Sequence, residues 1–285
     1  MLKLDNISYT YMPGSPFETE ALKNINIEIG ENEFVGLIGC TGSGKSTLIQ
    51  LMCGLIRPSA GEISLNGQAF FKKETNMRAM RQNIGLVMQY PEYQLFEETV
   101  EKDIAYGPHN MGLSEEEIKE RVSYAADLCG IEKKLLKRSP FDLSGGQKRR
   151  VAIAGVLAMM PKVLILDEPA AGLDPGGRDE ILYKIRDLQK RMSISVVLVS
   201  HSMEDVSAVC ERLVVLSDGE KRFDDSVREV FMHGAELEKI GLDIPSAAKI
   251  CNALRAASLP VSKGIFTVEE AAAEILRLYK LYKTQ

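Results

Sequence analysis

The chain has 285 residues, of which 45% are hydrophobic and 26% charged, and its formal net charge is −5. This length suits one or two globular domains, and the acidic balance gives no indication of general nucleic-acid binding by bulk electrostatics. Five cysteines without a C-x-x-C spacing favour free thiols in a reducing compartment. We find neither a signal peptide nor an apolar run of the roughly 18–20 residues that span a membrane. We therefore expect a chain that does not itself cross a membrane.

The first ninety residues predict two antiparallel strands, a buried strand, a helix and a second buried strand. LKLDNISYTY (2–11) and LKNINIEI (22–29) alternate apolar and polar residues, which predicts two antiparallel strands. EFVGLIG (33–39) is an apolar run ending in glycine, typical of a buried strand that leads into a loop. KSTLIQLMCGLI (45–56) predicts a helix, and NIGLVMQ (83–89) predicts a second buried strand.

The middle of the chain alternates helices with buried strands. Residues 99–160 are helical in character, with a capping box formed by Ser114 and Glu117. KVLILDEP (162–169) and SISVVLVSH (193–201) predict apolar strands on either side of an amphipathic helix. Strands that read as unbroken apolar runs between helices predict an α/β fold with a mainly parallel sheet.

The last part of the chain changes character. We interpret residues 1–222 as the main unit, with a helical subdomain at about 96–160, and residues 223–285 as a helical C-terminal extension. The last helix opens with Thr267 and Glu270 as a capping box. Five of its residues are predicted to share one face: Val268, Ala271, Ile275, Tyr279 and Tyr282.

The loop GCTGSGKST (39–47) fits the pattern G-x-x-x-x-G-K-[ST] between a predicted strand and a predicted helix. Its glycines let backbone N–H groups converge on phosphates, and the helix start adds positive partial charge. Lys45 is predicted to reach the β- and γ-phosphates, and the Ser46 hydroxyl to bind Mg²⁺. The alternative, a chance glycine turn, does not account for this context. The predicted nucleotide-binding residues here are Gly39, Cys40, Thr41, Gly42, Ser43, Gly44, Lys45, Ser46 and Thr47.

Polar residues follow three of the predicted buried strands, where ligands bind in open α/β sheets. Asp167 is predicted to hold Mg²⁺ directly or through water, and Glu168 to polarise the attacking water as general base. Gln89 is predicted to bind Mg²⁺ or water through its amide oxygen. His201 ends a third strand on the side where Glu168 is expected. Each of these roles has a simpler alternative. The two acids would be merely solvated, Gln89 would be a polar residue leaving a strand, and His201 would be structural or merely exposed.

An aromatic residue and a second glycine-rich turn complete the candidate site. Tyr11 offers a stacking face for a nucleobase, although most edge-strand tyrosines are packing residues. DLSGGQKRR (142–150) lacks the K-[ST] of the first loop, but its serine and glycines lie at the start of a predicted helix. The N-terminus of a helix binds anions through its free N–H groups and positive partial charge. Its predicted phosphate-binding residues are Ser144, Gly145, Gly146 and Gln147.

Together these motifs resemble, in kind and in order, the ATP-binding subunit of an ABC transporter. The resemblance covers the chain from Tyr11 to His201 and implies a P-loop NTPase core with an antiparallel β-subdomain and a helical signature subdomain. It also implies that two subunits pair head to tail, so that Ser144 and Gly146 serve the ATP held by the partner. Asp174, in AGLD, would act across the same interface, and His201 would contact the γ-phosphate.

A narrower resemblance lies in QYPEYQLFEETVEKDIAYGPHNMGLS (89–114). This segment is similar to the ATPases of energy-coupling factor transporters, which power vitamin and metal uptake in prokaryotes. The resemblance implies a peripheral subunit on the cytoplasmic face of the membrane, with a transmembrane coupling subunit and a substrate-binding membrane subunit as partners. Tyr93, Leu95 and Phe96 would receive a helix of the membrane subunit, or else would cap the core of the helical subdomain. Residues 223–285 would help to pair the ATPases.

Two other functions remain open at this point. A soluble ABC ATPase acting on nucleic acid often has two cassettes or long coiled-coil insertions, and this chain has neither. A binding module with hydrolysis mainly at a partner's site would not need Glu168 and His201. The sequence does not name the transported molecule, and it leaves open whether the ATPase pairs with itself or, as we prefer, with a related chain.

Overall fold

The computed structural model describes residues 1–283. The strands, in chain order, are β1 (Leu2–Tyr11), β2 (Thr19–Ile29), β3 (Phe34–Gly39), β4 (Ala60–Leu65), β5 (Gln68–Ala69), β6 (Ile84–Val87), β7 (Val163–Asp167), β8 (Ser195–Val199), β9 (Arg212–Ser217) and β10 (Glu220–Ser226).

The helices, in chain order, are α1 (Lys45–Met52), α2 (Met77–Gln82), α3 (Val100–Asn110), α4 (Glu115–Leu128), α5 (Gly145–Leu157), α6 (Pro175–Met192), α7 (Met203–Val209), α8 (Val227–Met232), α9 (Gly234–Lys239), α10 (Ser246–Ala256) and α11 (Val268–Lys283). Short 3-10 turns lie at Pro91–Gln94, Lys133–Leu135 and Pro140–Asp142.

A four-stranded antiparallel sheet contains the first strands, in the order β2-β1-β4-β5. Alternation places every second side chain of β1 inside, so Leu2 and Leu4 are fully buried and pair across to Ile29 and Ile27. The predicted antiparallel pair at 2–11 and 22–29 is confirmed.

A six-stranded sheet forms the centre, in the order β10-β9-β3-β8-β7-β6. Strands β3, β6, β7, β8 and β9 run parallel, and only the edge strand β10 is antiparallel. Every residue of β3 and of β8 is buried, which explains their continuous apolar sequences. The carboxyl ends of β3, β8, β7 and β6 therefore lie side by side at one edge, as predicted for an α/β fold.

Three helices form a separate layer beside β6. Helices α3, α4 and α5 pack on one another, and α5 also packs on β6 and on the Pro91–Gln94 turn. The predicted capping box of α4 is present, because Ser114 and Glu117 exchange side-chain and backbone hydrogen bonds. α5 has a capping box of the same kind, formed by Ser144 and Gln147.

Several predicted boundaries differ from the structure. Helix α1 ends at Met52 rather than near residue 56. Just after Met52, the N–H groups of Gly54 and Leu55 donate to carbonyl oxygens of the last helical turn, which ends the helix. Strand β10 continues to Ser226, so the proposed boundary at residue 222 falls inside a strand. Helices α2 and α7 have six and seven residues, too short for the periodic pattern that reveals longer helices.

The last helix buries a different face from the one that its aromatic residues suggest. Of the five residues predicted to share a face, only Ala271 is buried, and the other four are 42% to 68% exposed. Helix α11 instead packs through Ala271, Glu274 and Leu278. The apolar stripe therefore faces away from the chain's own core.

No helix within residues 1–283 combines the length and apolar character that crossing a membrane requires.

Candidate active site

The loop after β3 has the geometry of a phosphate cradle. Gly44 caps α1 with a left-handed φ of 102°, and a Cβ there would lie 2.7 Å from the Ala21 carbonyl oxygen. Only glycine fits such a position without strain. The loop therefore turns sharply enough to aim the first-turn N–H groups of α1 at one point above the sheet.

Lys45 lies inside this loop and is 8% exposed. Its Nζ donates hydrogen bonds to the carbonyl oxygens of Gly39 and Cys40. Burial lowers the pKa of Lys45, and the charges of Glu168 and Asp167 partly oppose that shift. The ammonium group is thus held at the centre of the loop, next to the two predicted acids.

Within residues 1–283, three buried side-chain atoms have no hydrogen-bond partner, and two of them belong to this site. They are Ser43 Oγ, in the cradle, and Glu168 Oε1, beside it. A buried polar atom without a partner is costly. These two atoms are therefore suited to groups that arrive with a ligand.

Tyr11 ends β1 beside the cradle and is 39% exposed. Its hydroxyl lies 3.1 Å from Thr47 Oγ1, and its ring meets the ring of Tyr9 edge to face at 4.8 Å. The hydrogen bond and the ring contact fix the orientation of the Tyr11 ring. The exposed part of the side chain remains accessible to a nucleobase.

We expect Tyr11→Ala to weaken ATP binding about 5- to 150-fold, because a stacked base contributes about 1–3 kcal/mol. Tyr11→Phe keeps the stacking surface and loses only the bond to Thr47, so most of the affinity should remain. Titration with a fluorescent ATP analogue measures both. If the phenylalanine variant binds as weakly as the alanine variant, the hydroxyl bond rather than stacking is the contribution of Tyr11.

Asp167 and Glu168 follow β7, and His201 follows β8. His201 Nε2 lies 3.6 Å from Glu168 Oε1, and the Glu168 N–H donates to the Val199 carbonyl at 3.0 Å. Glu168 has a left-handed φ of 50°, an unusual conformation for a glutamate that is found preferentially at functional sites. Adjacent parallel strands thus bring these two predicted catalytic residues together.

The pKa values of these groups reflect one shared, partly buried environment. Burial raises the pKa of Glu168 to about 7, and the neighbouring Asp167 acts in the same direction. Burial also raises the pKa of Asp167, against the opposing charge of Lys45. Burial lowers the pKa of His201, and so does Lys45. Near pH 7 the site therefore offers a neutral imidazole and a carboxylate able to exchange a proton.

The predicted Mg²⁺ ligands lie around the same edge of the sheet. Asp167 is the last residue of β7, Ser46 is exposed in the first turn of α1, and Gln89 is exposed two residues after β6. Carboxylate, hydroxyl and amide oxygens suit Mg²⁺, which is usually held by few protein ligands together with substrate phosphates. The donor set fits this ion.

The second glycine-rich turn lies in another part of the chain. Residues 144–147 begin α5, which packs in the helical layer, whereas α1 packs on β1, β2 and β3. Ser144 Oγ accepts from the Gln147 N–H at 3.4 Å, and Gln147 Oε1 accepts from the Ser144 N–H at 3.0 Å. Ser144, Gly145 and Gly146 are exposed.

Asp174, the other residue predicted to act between chains, is the N-cap of α6. It is exposed and accepts a hydrogen bond from the Gly177 N–H at 2.9 Å. The structure therefore gives Asp174 a capping role within its own chain, and it leaves the side chain accessible to another.

A hydrogen-bond network behind His201 was missed from the sequence. The Asp205 carboxylate accepts from Ser200 Oγ at 3.2 Å and from Ser202 Oγ at 3.0 Å. Ser202 also caps α7 by accepting from the Asp205 N–H. The network holds the two residues that flank His201. The spacing Ser202-x-x-Asp205, a helix-start pattern, was the available signal.

The C-terminal extension touches the cradle directly. The Cys40 thiol donates to the Ile240 carbonyl at 2.9 Å, immediately after α9. A Cβ on Gly241 would lie 3.0 Å from the Cys40 sulfur. The nucleotide loop and the extension are therefore in contact, across 200 residues of sequence.

Comparisons of this chain with a family model, with protein sequences and with solved structures all point to ABC transporter ATP-binding proteins. The model of the ABC transporter family matches residues 22–171, more than half of the chain. The energy-coupling factor transporter ATP-binding protein EcfA2 of Clostridium acetobutylicum is 53% identical over 283 residues, covering 99% of each chain. Structural similarity extends to cbiO1 from Clostridium perfringens, described as part of the ABC transporter complex cbiONQ, with a TM-score of 0.75, 39% identity and coverage of 84% of this chain and 93% of that one.

A dimeric post-hydrolysis state of the ATP-binding cassette MJ0796, bound to ADP and Pi, is also similar. It has a TM-score of 0.70 and 31% identity, and the match covers 80% of this chain and 99% of that one. These likenesses and the site define an ABC-type ATPase. The chain belongs to the ABC transporter family, among the ATP-binding subunits of energy-coupling factor transporters. It is an ATPase whose hydrolysis of ATP drives an importer, which confirms the expected fold class and activity.

Proposed function

We propose that this subunit binds Mg-ATP between its own P-loop and the Ser144–Gln147 turn of a second ATPase chain. One observation carries the proposal: the two anion cradles lie in different layers of the same chain, with the second one exposed. A two-fold arrangement would bring each cradle onto the ATP of the other chain. The dimeric ADP-bound cassette, which resembles this chain, supports such an arrangement.

The residues of this chain divide the work of hydrolysis among them. The P-loop N–H groups and Lys45 hold the β- and γ-phosphates, while the orphaned Ser43 hydroxyl gains a partner. Mg²⁺, bound by Ser46, Asp167 and Gln89, would neutralise charge on the phosphates. Glu168 accepts a proton from the attacking water.

The remaining polar residues act on the γ-phosphate and across the pair. His201, neutral near pH 7, donates a hydrogen bond towards the γ-phosphate. Ser144 and the first-turn amides of α5 contact the γ-phosphate bound by the partner, and Asp174 lies at the same interface. Hydrolysis removes the group that both chains hold, so the pair opens.

We also propose that the segment after Gln89 docks a helix of a membrane subunit, at the cytoplasmic face. Tyr93 is 85% exposed and Phe96 is 57% exposed, whereas Leu95 is buried in the chain's own core. Beside them lies an apolar groove with a volume of about 470 Å³. It is lined in part by Leu95, Phe96, Tyr106, Gly107, Val156 and Met159. Exposed aromatic residues around an apolar groove are typical of an interaction site.

The extension is proposed to help pair the ATPases. The exposed stripe of α11, made of Val268, Ile275, Tyr279 and Tyr282, is free of the chain's own core. The helix begins at a capping box and is tied to α8 through the Arg228–Glu270 ion pair. A fixed helix with an outward apolar face suits association with a second chain.

The docking proposal predicts a specific loss of assembly. We expect Phe96→Asp to reduce co-purification with the membrane subunits at least about tenfold, because Phe96 lines the groove and the substitution places a charge in an apolar interface, while ATP binding stays unchanged. Leu55→Asp is the matched control, since Leu55 is 54% exposed and lies outside the groove. Tagged variants, expressed with the membrane subunits, are isolated from detergent extracts and quantified. Equal recovery of both variants would contradict the proposal.

A further inference from the structure

Arg149 is a buried cation outside the described ATP site. It lies in the second turn of α5, two residues after Gln147, and is 4% exposed. Its neighbour Arg150 is more exposed and pairs with Glu180 at 2.6 Å on the surface. A buried guanidinium is costly unless its N–H groups are fully hydrogen-bonded. The position of Arg149 therefore calls for a role beyond surface charge.

The Arg149 guanidinium joins three separate segments of the chain. Its Nε and Nη2 donate to the Glu92 carboxylate at 3.2–3.3 Å. Its Nη1 donates to the Pro169 carbonyl at 2.9 Å, and Nη2 donates to the Ala171 carbonyl at 3.0 Å. One side chain thus ties α5 to the Pro91–Gln94 turn and to the loop after Glu168.

These segments are the ones that the ATPase reaction depends on. The Pro91–Gln94 turn begins two residues after Gln89. The Ala171 N–H donates to the Glu168 carbonyl at 3.0 Å, and the same loop leads to Asp174. A Cβ on Gly172 would lie 3.8 Å from the Tyr90 ring, so the turn and the loop also approach each other directly.

We propose that Arg149 is a positioning residue for ATP hydrolysis, which makes the placement of the Glu168–Asp174 loop depend on the placement of the Pro91–Gln94 turn. The side-chain hydrogen bonds of Arg149 go to Glu92, Pro169 and Ala171 and to none of the P-loop residues 39–47, so we expect it to affect the hydrolysis step and to leave nucleotide binding unchanged. The proposal concerns the ATPase reaction and holds whatever docks on the neighbouring surface.

Arginine suits this position because its planar fork of five donors bonds a carboxylate on one edge and carbonyl oxygens on the other. A lysine retains the charge but is a single point donor. It could remain paired with Glu92, although it could not also hold both carbonyl oxygens in the same plane. Arg149→Lys therefore separates the linkage from the charge.

The experiment is a double-variant cycle on the intact transporter, with Arg149→Lys, Glu92→Gln and the combination. We expect kcat to fall about tenfold in Arg149→Lys and about threefold in Glu92→Gln, with KM for Mg-ATP within twofold of wild type. The combined variant should have the same kcat as Arg149→Lys alone, because the effects of substitutions within one hydrogen-bond network do not add. Arg150→Lys is the matched control and should keep the wild-type rate.

A second measurement covers variants that fold poorly. Hydrogen–deuterium exchange in Glu92→Gln, the milder change, should be faster in peptides covering 168–174 and unchanged in peptides covering 39–47. Independent threefold and tenfold effects, which multiply to about thirtyfold, would overturn the proposal. So would a kcat within twofold of wild type in Arg149→Lys, or unchanged exchange at 168–174.

Discussion

Glu168→Gln is expected to lower the kcat of ATP hydrolysis by about 10²–10⁴-fold, the range that a general base contributes. The glutamine has nearly the same shape but accepts no proton. ATP binding should persist, since the proposed phosphate contacts come from the P-loop and Lys45. Phosphate release measures the first effect, and titration with a fluorescent ATP analogue measures the second. Turnover at half the wild-type rate would remove Glu168 from this role.

The same variant decides how the chain pairs. Light scattering on purified Glu168→Gln, with and without Mg-ATP, gives the mass of the particle. A mass that doubles only with ATP indicates a homodimer. A chain that binds ATP yet stays single indicates that its Ser144–Gln147 turn faces a different ATPase chain.

The pKa of Glu168 also fixes a pH dependence. Because burial raises that pKa to about 7 in the free enzyme, the carboxyl is protonated and inactive as a base below this pH. We expect kcat/KM to fall by up to tenfold per pH unit as the pH drops below about 7, since kcat/KM reports the free enzyme. Glu168→Gln should lack this acidic limb, and a limb that persists in the variant would belong to another group.

Gly146→Asp is expected to lower the rate of ATP hydrolysis about 100-fold or more, without destabilising the subunit. Apart from its chain neighbours and the nearby backbone of α5, no atom lies within 4 Å of a Cβ at Gly146, so the fold accommodates a side chain. A carboxylate in the first turn of α5 is favourable for the helix. The same charge would repel the γ-phosphate that we propose the partner chain binds at this turn. Unchanged thermal stability together with lost turnover would therefore locate the defect between chains.

Gly146→Ala is the matched control, because it adds the methyl group without the charge. It should keep a rate within about tenfold of wild type and should still pair in the presence of Mg-ATP. ATP binding by the single chain should be normal in both variants. If Gly146→Asp hydrolyses ATP as fast as Gly146→Ala, the α5 start does not meet phosphate.

The loop geometry after β3 and the positions of the polar residues at the strand ends could be predicted because each depends on local sequence. The run of residues 33–56 fixes a strand, a glycine turn and a helix start in immediate succession. Parallel strands then place Asp167, Glu168 and His201 at one edge, a consequence of topology alone. The sequence placed His201 on the side of Glu168, and the adjacent strands β7 and β8 bring the two side chains to 3.6 Å.

The rest depends on contacts between segments that are distant in the chain. Arg149 and Glu92 are 57 residues apart and belong to no common periodic pattern. The aromatic stripe of α11 marks an apolar face, but periodicity does not reveal whether that face packs inward or outward. In the structure, Ala271 and Leu278 pack inward, into a cluster with Ala247, Cys251, Val261 and Ile265.

The bond between Cys40 and Ile240 has a practical consequence for following this subunit at work. The other four cysteines are buried, and burial raises the pKa of their thiols, so they react slowly with alkylating reagents. Cys40 is the partly accessible thiol, and its Sγ donates to the Ile240 carbonyl next to Gly241. The natural chain therefore carries a built-in chemical reporter, whose labelling rate rises when the extension separates from the nucleotide loop.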